Sequence, residues 1–586
     1  MNQASNRVIE ATTSPATGAA TPGIASTDSP LYYLENFQTV LDWVGARYQD
    51  LLTPEETGFI TRFRQLPGSA RALLVRMTMR KGDKFRSGKL RYREIGDPMM
   101  AVRPLADLGW VDIEPDLAIG DFFALATRAE ILDALGRDIA SHRMSKAALL
   151  DELVSQYPET RTWRNWYPAS GESVLQLVPM ALIDRLRLLF FGNLHQDWSE
   201  FILSDLGLFR YETVHLGPDS RPFSHRRHLD LYLAMHQCRE HLHNLESNRE
   251  GTVDTVEAML PTRPDDNDWL AGRHDRLLFK LGRHCERQGD LERAQAYYRQ
   301  SLYPEARARH IRVLELRHRW REALALAETA RKAPVDEAEI QRLERMLPRL
   351  RRKAGTGPTV KASRSRPPSL HLELPGPSDA GVERLAAQAL TSASAPVYYV
   401  ENTLINALLG LLCWNTLFAP VAGAFFHPFQ RGPADLHGES FTERRRQRFE
   451  SDWRTLETGR YRDIILANYR RKRDIQNPFV AWPAVDEALL QLALDCIPAA
   501  HLRLYFERIL FDIKRNRSGL PDLIRFHLPE RRYELIEVKG PGDRLQDNQL
   551  RWFDYCLARQ LPASVCHVRW TGTTARGIGG EGCRQS

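Results

Sequence analysis

Gly519-Leu520-Pro521-Asp522-Leu523, followed by Tyr533-Glu534-Leu535-Ile536-Glu537-Val538-Lys539-Gly540, is the stretch that decides the fold of the C-terminal part of the chain. Asp522 and Glu537 each lie in a short apolar run that is bounded by glycine or proline. Such runs are typical of strands that are buried on both faces. The polar segment 527–532 between them contains Pro529 and suits a hairpin, so we expect the two carboxylates side by side.

The spacing of Glu537 and Lys539 indicates that both side chains can act at one site. Because side chains alternate along a strand, these two point to one face and Val538 points to the core. Hard divalent ions take oxygen ligands, so Asp522, Glu537 and a phosphate oxygen would suit Mg²⁺ or Mn²⁺. A lysine beside the metal can orient the attacking water in phosphodiester hydrolysis. A solvated charge pair is the ordinary alternative for an isolated Glu-x-Lys on a strand.

Several short runs of this region together resemble a known family. They are Gly519-Leu520-Pro521-Asp522-Leu523, Glu537-Val538-Lys539-Gly540-Pro541, Asp543-Arg544-Leu545 and Val565-Cys566-His567-Val568. They are similar to the virus-type replication-repair nuclease domain, and more narrowly to the Fanconi-associated nucleases, which carry that domain at the C-terminus. The resemblance implies a restriction-endonuclease-like core with a mixed sheet.

The resemblance also implies further site residues. The family has a metal-site glutamate at the start of a helix, before a Leu-Leu-x-Trp pattern, and Leu411-Leu412-Cys413-Trp414 places that role on Glu401. Glu401, Asp522 and Glu537 would then hold Mg²⁺ or Mn²⁺, with two ions during catalysis. The Val538 backbone carbonyl would add a ligand and Lys539 would position the water. Gln549, on the following helix, is a candidate for catalytic support.

Composition places the chain among globular proteins. Its 586 residues are enough for three or four domains, and 43% hydrophobic and 26% charged residues are ordinary values. The formal net charge of +7 argues only weakly for nucleic acid, so local clusters matter more. The seven cysteines form no Cys-x-x-Cys pair, so neither a zinc finger nor a disulfide framework is expected.

A dense basic stretch lies near the N-terminus and is interleaved with Phe85 and Tyr92. Clustered positive charge on a folded element binds phosphates, and aromatic rings can stack on bases. A small helical module with a short hairpin wing would fit, and a solvated basic face is the alternative. The residues predicted to contact DNA here are Arg71, Arg76, Arg80, Lys81, Lys84, Arg86, Lys89 and Arg91.

Two shorter segments extend this predicted DNA-binding half. Ser145 can cap a helix that begins with Lys146, similar to the first helix of a SAP DNA-binding module. His225-Arg226-Arg227-His228 forms a second basic cluster, in which Arg226 and Arg227 could hold a terminal phosphate of a nicked or flapped strand. An exposed helix start explains that cluster equally well. In the nuclease part, Arg470, Arg471 and Lys472 are a further candidate track for the DNA backbone, with a solvated helix face as the alternative.

The middle of the chain shows an approximate helical repeat. Leu281-Gly282, Ala294, Tyr298 and Pro304 recur in weaker form as Ala323, Ala327, Ala330 and Pro334, which indicates tetratricopeptide-like helix pairs. The Ser- and Pro-rich segment after it predicts a linker or insertion. The apolar run 403–418 predicts a buried helix rather than a membrane span, because asparagines interrupt it and Pro420 ends it.

The expected architecture is multi-domain. A largely α-helical N-terminal half, with winged-helix-like, SAP-like and tetratricopeptide-like parts, precedes an α/β restriction-endonuclease-like nuclease domain with a mixed sheet. The predicted boundaries are a disordered tail at 1–30, a basic DNA-binding domain at 31–125, a SAP-like domain at 126–268, a tetratricopeptide-like domain at 269–352, a linker or insertion at 353–395, the nuclease domain at 396–570 and a second disordered tail at 571–586.

The resemblance implies a structure-selective, metal-dependent DNA nuclease of phosphodiesterase I type. It implies 5′ flap cleavage and 5′-to-3′ exonuclease action in DNA repair, including repair of interstrand crosslinks. Branched or flapped DNA is the expected partner, without membrane or ubiquitin-binding zinc finger. A bacterial member would be cytoplasmic and nucleoid-associated, and a eukaryotic one nuclear. A Holliday-junction resolvase or restriction-type nuclease on the same core, and an inactive DNA-binding scaffold, are the alternatives.

Overall fold

The computed structural model describes residues 29–136, 144–201, 209–217, 220–247, 251–356, 367–376, 381–438 and 440–571. The chain divides into two compact units. The first consists of Met1–Arg226 with Pro420–Gln430, and the second of Arg227–Ala419 with Arg431–Ser586. The tails predicted at 1–30 and 571–586 lie almost wholly outside the described residues.

The first unit opens with four helices and a small sheet. Thr53 and Glu56 form a capping box that starts the second helix, since each accepts a hydrogen bond from the other's backbone N–H. The elements are α1 (Tyr32–Arg47), α2 (Pro54–Gln65), α3 (Gly68–Thr78), β1 (Lys84–Arg86), α4 (Pro98–Asp107) and β2 (Val111–Ile113). The strands do not form the local hairpin wing that the sequence predicted. β3 (Val174–Leu177) inserts between them, antiparallel to both.

A cluster of short helices follows within the same unit. Ser145 caps the third of them as predicted, because its hydroxyl accepts from the Ala148 N–H at 3.2 Å. Buried Phe122, Trp163 and Trp166 pack together in the core of this cluster. The helices are α5 (Ile119–Leu125), α6 (Arg128–Leu135), α7 (Lys146–Leu153), α8 (Trp163–Trp166) and α9 (Met180–Phe191).

The second unit begins with a helical block of antiparallel pairs. The small residues of the repeat allow the close approach expected of them: a Cβ on Gly282 would lie 2.7 Å from the Tyr298 ring. The helices are α10 (Arg226–Glu246), α11 (Val253–Ala258), α12 (Asp268–Gln288), α13 (Leu291–Gln300), α14 (Ala306–Leu316), α15 (Trp320–Lys332) and α16 (Glu337–Ala354).

A mixed five-stranded sheet forms the centre of the nuclease part. Its order is β4-β8-β7-β6-β5, with β4, β8 and β7 parallel and the β7–β6 and β6–β5 pairs antiparallel. The strands are β4 (Ser369–Pro375), β5 (Val397–Tyr399), β6 (Leu523–His527), β7 (Arg532–Lys539) and β8 (Ala563–Thr571). The hairpin predicted between the two acidic runs is therefore confirmed as β6 and β7.

Helices cover this sheet. They are α17 (Val382–Leu390), α18 (Leu404–Leu412), α19 (Trp414–Leu417), α20 (Arg446–Thr458), α21 (Tyr461–Arg471), α22 (Glu487–Cys496), α23 (Ala499–Phe511), α24 (Ile513–Asn516) and α25 (Asp547–Ala558). Every residue of α18 is buried, as predicted for the apolar run. Among the described residues, none of the helices is both long and apolar enough to cross a bilayer.

Two boundaries differ from the expectation. The linker predicted over 353–395 is wrong at 369–375 and 382–390, because β4 pairs with β8 there and α17 packs beside the sheet. Residues 357–366 and 377–380 of that segment lie outside the described residues. The segment Pro420–Gln430, expected in the nuclease domain, belongs to the first unit. Phe429 packs there on Phe201, with ring centroids 4.6 Å apart.

Candidate active site

The β6–β7 hairpin places two acids and a lysine on one face of the sheet. Asp522 directly precedes β6, and its Oδ2 accepts a hydrogen bond from the Val538 N–H at 2.8 Å. Val538 packs in the core on the other face, so Glu537 and Lys539 point together toward Asp522's side. All three functional side chains are nearly inaccessible to solvent.

The two oxygens of Glu537 have unequal surroundings. Oε1 lies 2.8 Å from the Lys539 ammonium and also accepts from the Gln549 side-chain amide. Oε2 is buried and has no hydrogen-bond partner among the residues that the structure describes. A buried carboxylate oxygen without a partner is costly, so this atom is poised to accept a cation.

Burial governs the protonation of both acids. It raises the pKa of Glu537 to about 8, and the nearby charge of Asp522 adds to this effect, while Lys539 opposes it. Burial also raises the pKa of Asp522 to about 6; the hydrogen bond from Val538 lowers it and the charge of Glu401 raises it. Close carboxylates with raised pKa values are a common feature of functional sites. A cation bound between them would lower both pKa values again.

Glu401 lies in the turn between β5 and α18. The preceding Val400 N–H donates to the Asp522 backbone carbonyl at 2.8 Å, which fixes the turn beside the hairpin. Both carboxylate oxygens of Glu401 are engaged locally: Oε2 accepts from the Tyr399 hydroxyl at 2.5 Å and Oε1 from the Asn402 amide at 3.1 Å. Glu401 is thus a neighbour of Asp522, but its oxygens are held by its own turn.

The donor set suits a hard divalent ion. Asp522, Glu537 and Glu401 offer only carboxylate oxygens, one of them unpartnered. Within the described ranges, no three His, Cys, Asp or Glu side chains are already arranged as a metal cage. The reason is visible at Glu401, whose oxygens accept from Tyr399 and Asn402.

Sequence reasoning missed several supporting residues. Tyr399 is two positions before Glu401, and burial raises the pKa of its hydroxyl, which keeps it a hydrogen-bond donor. Glu383 of α17 is close enough for its charge to raise the pKa of Asp522. Gly519 (φ +89°) allows the loop before Asp522 to approach α25, because a Cβ there would lie 2.9 Å from the Asn548 backbone.

The raised pKa of Glu537 predicts a pH-dependent stability in the metal-free protein. The unfolded carboxyl ionises near its ordinary pKa of about 4.5 and the folded one near about 8, so folding retains a proton in between. The free energy of unfolding should therefore fall as pH rises through that window. We expect Glu537→Gln to flatten this decline and to melt at a higher temperature than the wild type at about pH 8 in EDTA.

Thermal unfolding across that pH range measures the effect. Glu530→Gln is the matched control, because Glu530 is exposed in the β6–β7 turn. Parallel pH dependences for wild type and Glu537→Gln would contradict the prediction.

Three of the predicted DNA contacts are internal ion pairs. Arg86 pairs with Glu130 at 2.7 Å and Glu172 at 2.6 Å, and its guanidinium lies over the Trp163 ring. Arg76 pairs with Glu94 at 2.7 Å and lies over Tyr33, and Arg226 pairs with buried Glu56 at 2.7 Å. Carboxylates of the fold already pair with these three groups, so we expect them to have a structural role, and their contact with DNA phosphates stays a prediction.

Other predicted DNA contacts are partly engaged. Arg71 donates to Gln38 at 3.0 Å, Lys84 lies 3.3 Å from Asp121, and Lys146 donates to the Ala126 carbonyl at 2.7 Å. Arg227 is 3.9 Å from Asp266, Arg470 pairs with Glu487, and the Lys472 ammonium lies over Trp414. The candidates with exposed side chains are Arg80, Lys81, Lys89, Arg91, Arg227, Arg470 and Arg471.

This difference between neighbouring basic residues is testable. Lys89→Ala/Arg91→Ala should weaken flap-DNA binding and reduce the slope of log affinity against log salt by about two, because two exposed phosphate contacts are lost. Arg86→Ala should instead lower the free energy of unfolding by about 2 kcal/mol, since Glu130 and Glu172 lose their partner. Salt-dependent fluorescence anisotropy and urea unfolding separate the two effects. A stable Arg86→Ala protein with the larger binding defect would contradict this assignment.

A mixed sheet with paired acids and a lysine at one edge, preceded by helical basic modules, defines a nuclease. Family profiles agree with this class. They match the FAN1 HTH domain over residues 31–112, the Fanconi anemia-associated nuclease SAP domain over 116–166 and the VRR-NUC domain over 456–570. The chain belongs to the Fanconi-associated nuclease family and is a bacterial member of it.

The membership rests on extensive similarity. The Fanconi-associated nuclease 1 homolog of Pseudomonas aeruginosa is 49% identical over 92% of this chain and 96% of that protein. The homolog of Arabidopsis thaliana is 26% identical over 92% of this chain and 67% of its own length. The crystal structure of paFAN1 bound to 2nt 5′flap DNA with gap is 48% identical and has a TM-score of 0.90, covering 94% of this chain and all of that one.

These findings confirm the family resemblance, the fold class and the expected type of enzyme, a DNA-hydrolysing nuclease. The N-terminal modules match profiles where helical DNA-binding parts were predicted.

Proposed function

We propose that this protein is a structure-selective repair nuclease that cleaves 5′-flap DNA by metal-dependent phosphodiester hydrolysis. The observation that carries the proposal is the unpartnered, buried Oε2 of Glu537, beside Asp522 and Lys539. A relative with 48% identity that was crystallised with 5′-flap DNA supports the choice of substrate.

Asp522 and Glu537 are proposed as the principal ligands of Mg²⁺ or Mn²⁺. Burial raises both pKa values, and the charge of Asp522 beside Glu537 and of Glu401 beside Asp522 adds to the rise; both effects favour capture of a cation in place of protons. Glu401 would complete the set in place of its contacts with Tyr399 and Asn402, and the Val538 carbonyl would add a ligand. The bound ion or ions would polarise the scissile phosphate and stabilise charge on the leaving oxygen.

Two side chains of the protein would position the reacting groups. Lys539 lies at the edge of the acid pair with its ammonium 2.8 Å from Glu537, where it can hold the attacking water against the phosphate. Gln549 fixes the rotamer of Glu537 by donating to its Oε1, which leaves the buried Oε2 available to a cation. The low solvent exposure of these groups strengthens each electrostatic contact.

Substrate selection is assigned to the exposed basic residues. Arg80, Lys81, Lys89 and Arg91 are exposed in the segment between α3 and α4, and Arg470 and Arg471 are exposed at the end of α21 in the nuclease part. Such contacts neutralise phosphates without reading sequence, so DNA shape decides the binding site. Repair of interstrand crosslinks, 5′-to-3′ exonuclease action and nucleoid association belong to this proposal.

A panel of labelled substrates tests the proposal. The protein is incubated with Mg²⁺ or Mn²⁺ and with a 5′ flap, a 3′ flap, a four-way junction and an intact duplex. We expect cleavage of the 5′ flap, its loss in EDTA and little cleavage of intact duplex. Preferred symmetric cutting of the four-way junction would favour a resolvase, and sequence-specific duplex cutting a restriction-type enzyme. Binding of the flap without cleavage under any metal would indicate an inactive scaffold.

A further inference from the structure

Helix α16 of the helical block makes contacts on two of its sides. Buried Leu343, Leu347 and Leu350 pack against α14 and α15 inside the block. Glu337, Gln341 and Arg345 are spaced by one helical turn and therefore line a different side. Their side chains contact the helices of the nuclease part, so α16 joins the two halves of the second unit.

The contacts from this second face concentrate on the first turn of α25. The Gln341 amide donates to the Asp547 backbone carbonyl at 3.2 Å and accepts from the Arg551 guanidinium at 2.7 Å. Arg345 donates to the Asp547 carboxylate at 2.5 Å. Glu337 adds an ion pair to Arg508 of α23. Gln341 is buried, so both its hydrogen bonds are protected from water.

The same turn of α25 carries the group that contacts the nuclease centre. The Gln546 N–H donates to Oε1 of Gln549 at 2.8 Å, which turns the Gln549 NH₂ group toward Glu537. Asp547 lies between these two glutamines in the chain. The docking of α25 on α16 therefore contributes to the position of Gln549 relative to Glu537, together with the hydrogen bond from the Trp552 indole to the Ser518 carbonyl.

We propose that Gln341 and Arg345 are positioning residues for the nuclease centre, acting through Asp547 and Gln549 on Glu537. The inference rests on the proposed function and adds to it a coupling between the helical block and the site. A shift of α16 would move the amide that holds Glu537 in its rotamer. The helical block thereby becomes part of the catalytic geometry.

The energetics separate positioning from simple stability. The Arg345–Asp547 pair is about half exposed at both partners, and such pairs contribute little to the free energy of unfolding. Groups that orient the residues around a metal site commonly change activity about 10- to 100-fold when they are removed. Gln341 and Arg345 should therefore affect cleavage more than folding.

The test is a double-mutant cycle in the full-length protein. Gln341→Ala should reduce the single-turnover rate of 5′-flap cleavage in Mg²⁺ about tenfold, with flap affinity in EDTA changed less than about twofold. In a Gln549→Ala background the same substitution should change the rate less than about twofold, because the side chain through which Gln341 acts on Glu537 is already absent. Arg345→Ala should act in the same direction. Arg351→Ala, also on α16, breaks an ion pair to Glu328 of α15 and should have no effect.

Hydrogen exchange provides a readout that is independent of cleavage. Gln341→Ala should speed amide exchange in the peptide covering the first turn of α25, with the strands of the central sheet unchanged. The coupling would be wrong if the wild type cuts flaps but the rate effects of Gln341→Ala and Gln549→Ala multiply fully in the double variant. It would also be wrong if Gln341→Ala left amide exchange in α25 unaltered. A wild-type protein that cuts no flap would overturn the proposed function, and with it the role given to Gln341.

Discussion

Asp522→Asn is expected to reduce flap cleavage at least about a thousandfold while leaving flap binding intact. Asp522 accepts from the Val538 N–H and faces the charges of Glu401 and Glu537, so it is the acid that connects the other two. An amide in its place keeps the shape but provides a neutral and weaker ligand. Glu537→Gln should have a similar effect, because it removes the charge of the carboxylate with the unpartnered oxygen.

Single-turnover cleavage and anisotropy on the same labelled flap measure the two quantities. Asp495→Asn and Glu530→Gln are the matched controls, since both acids are exposed in the nuclease part, Asp495 near the end of α22 and Glu530 in the turn of the β6–β7 hairpin. Loss of binding together with cleavage would point to misfolding. Wild-type rates in both site variants would show that the acids do not act in hydrolysis and would favour the scaffold alternative.

The hairpin and its three functional side chains were predictable because the determining signals are local. Apolar runs around Asp522 and Glu537, bounded by glycine and proline, define β6 and β7. Strand alternation then fixes Lys539 beside Glu537 without any knowledge of the remaining fold. The same reasoning identified the capped helix at Ser145 and the close helix approach at Gly282.

The first strand of the sheet was missed although the sequence carried its signal. Leu370, Leu372 and Leu374 alternate with polar residues over β4, which is a period of two. The Ser- and Pro-rich surroundings outweighed that pattern in the prediction of a linker. Pairing of β4 with β8 joins segments nearly two hundred residues apart, and local composition has no information about such a partner.

The basic stretch near the N-terminus shows the other limit of sequence reasoning. Charge density predicted eight DNA contacts there, but Arg86 is neutralised by Glu130 and Glu172 from later helices and loops. Exposure depends on those distant partners, so charge counts along the chain cannot distinguish Arg86 from Lys89. The contacts of Glu401 with Tyr399 and Asn402 lie within one turn, but they depend on the conformation of that turn, which the sequence pattern did not predict.

Lys539→Met is expected to lower flap cleavage about 100- to 1,000-fold, a smaller loss than at Asp522. The ammonium is almost fully buried and contacts Glu537 at 2.8 Å, so methionine retains the packing and removes only the charge and its hydrogen bonds. Lys539 also lowers the pKa of Glu537. Without Lys539 the pKa of Glu537 should rise further, so Glu537 would lose its proton and become able to bind a metal only at higher pH.

The residual activity of Lys539→Met should therefore move to higher pH, which a mere folding defect would not cause. Single-turnover rates between about pH 6 and about pH 9 at saturating Mg²⁺ measure this shift. Lys514→Met is the matched control, because Lys514 is exposed and donates to Tyr303 outside the site. Lys539 would not position the water beside Glu537 if Lys539→Met cleaved within about twofold of wild type. The same conclusion would follow if its pH profile had a lower plateau but no shift.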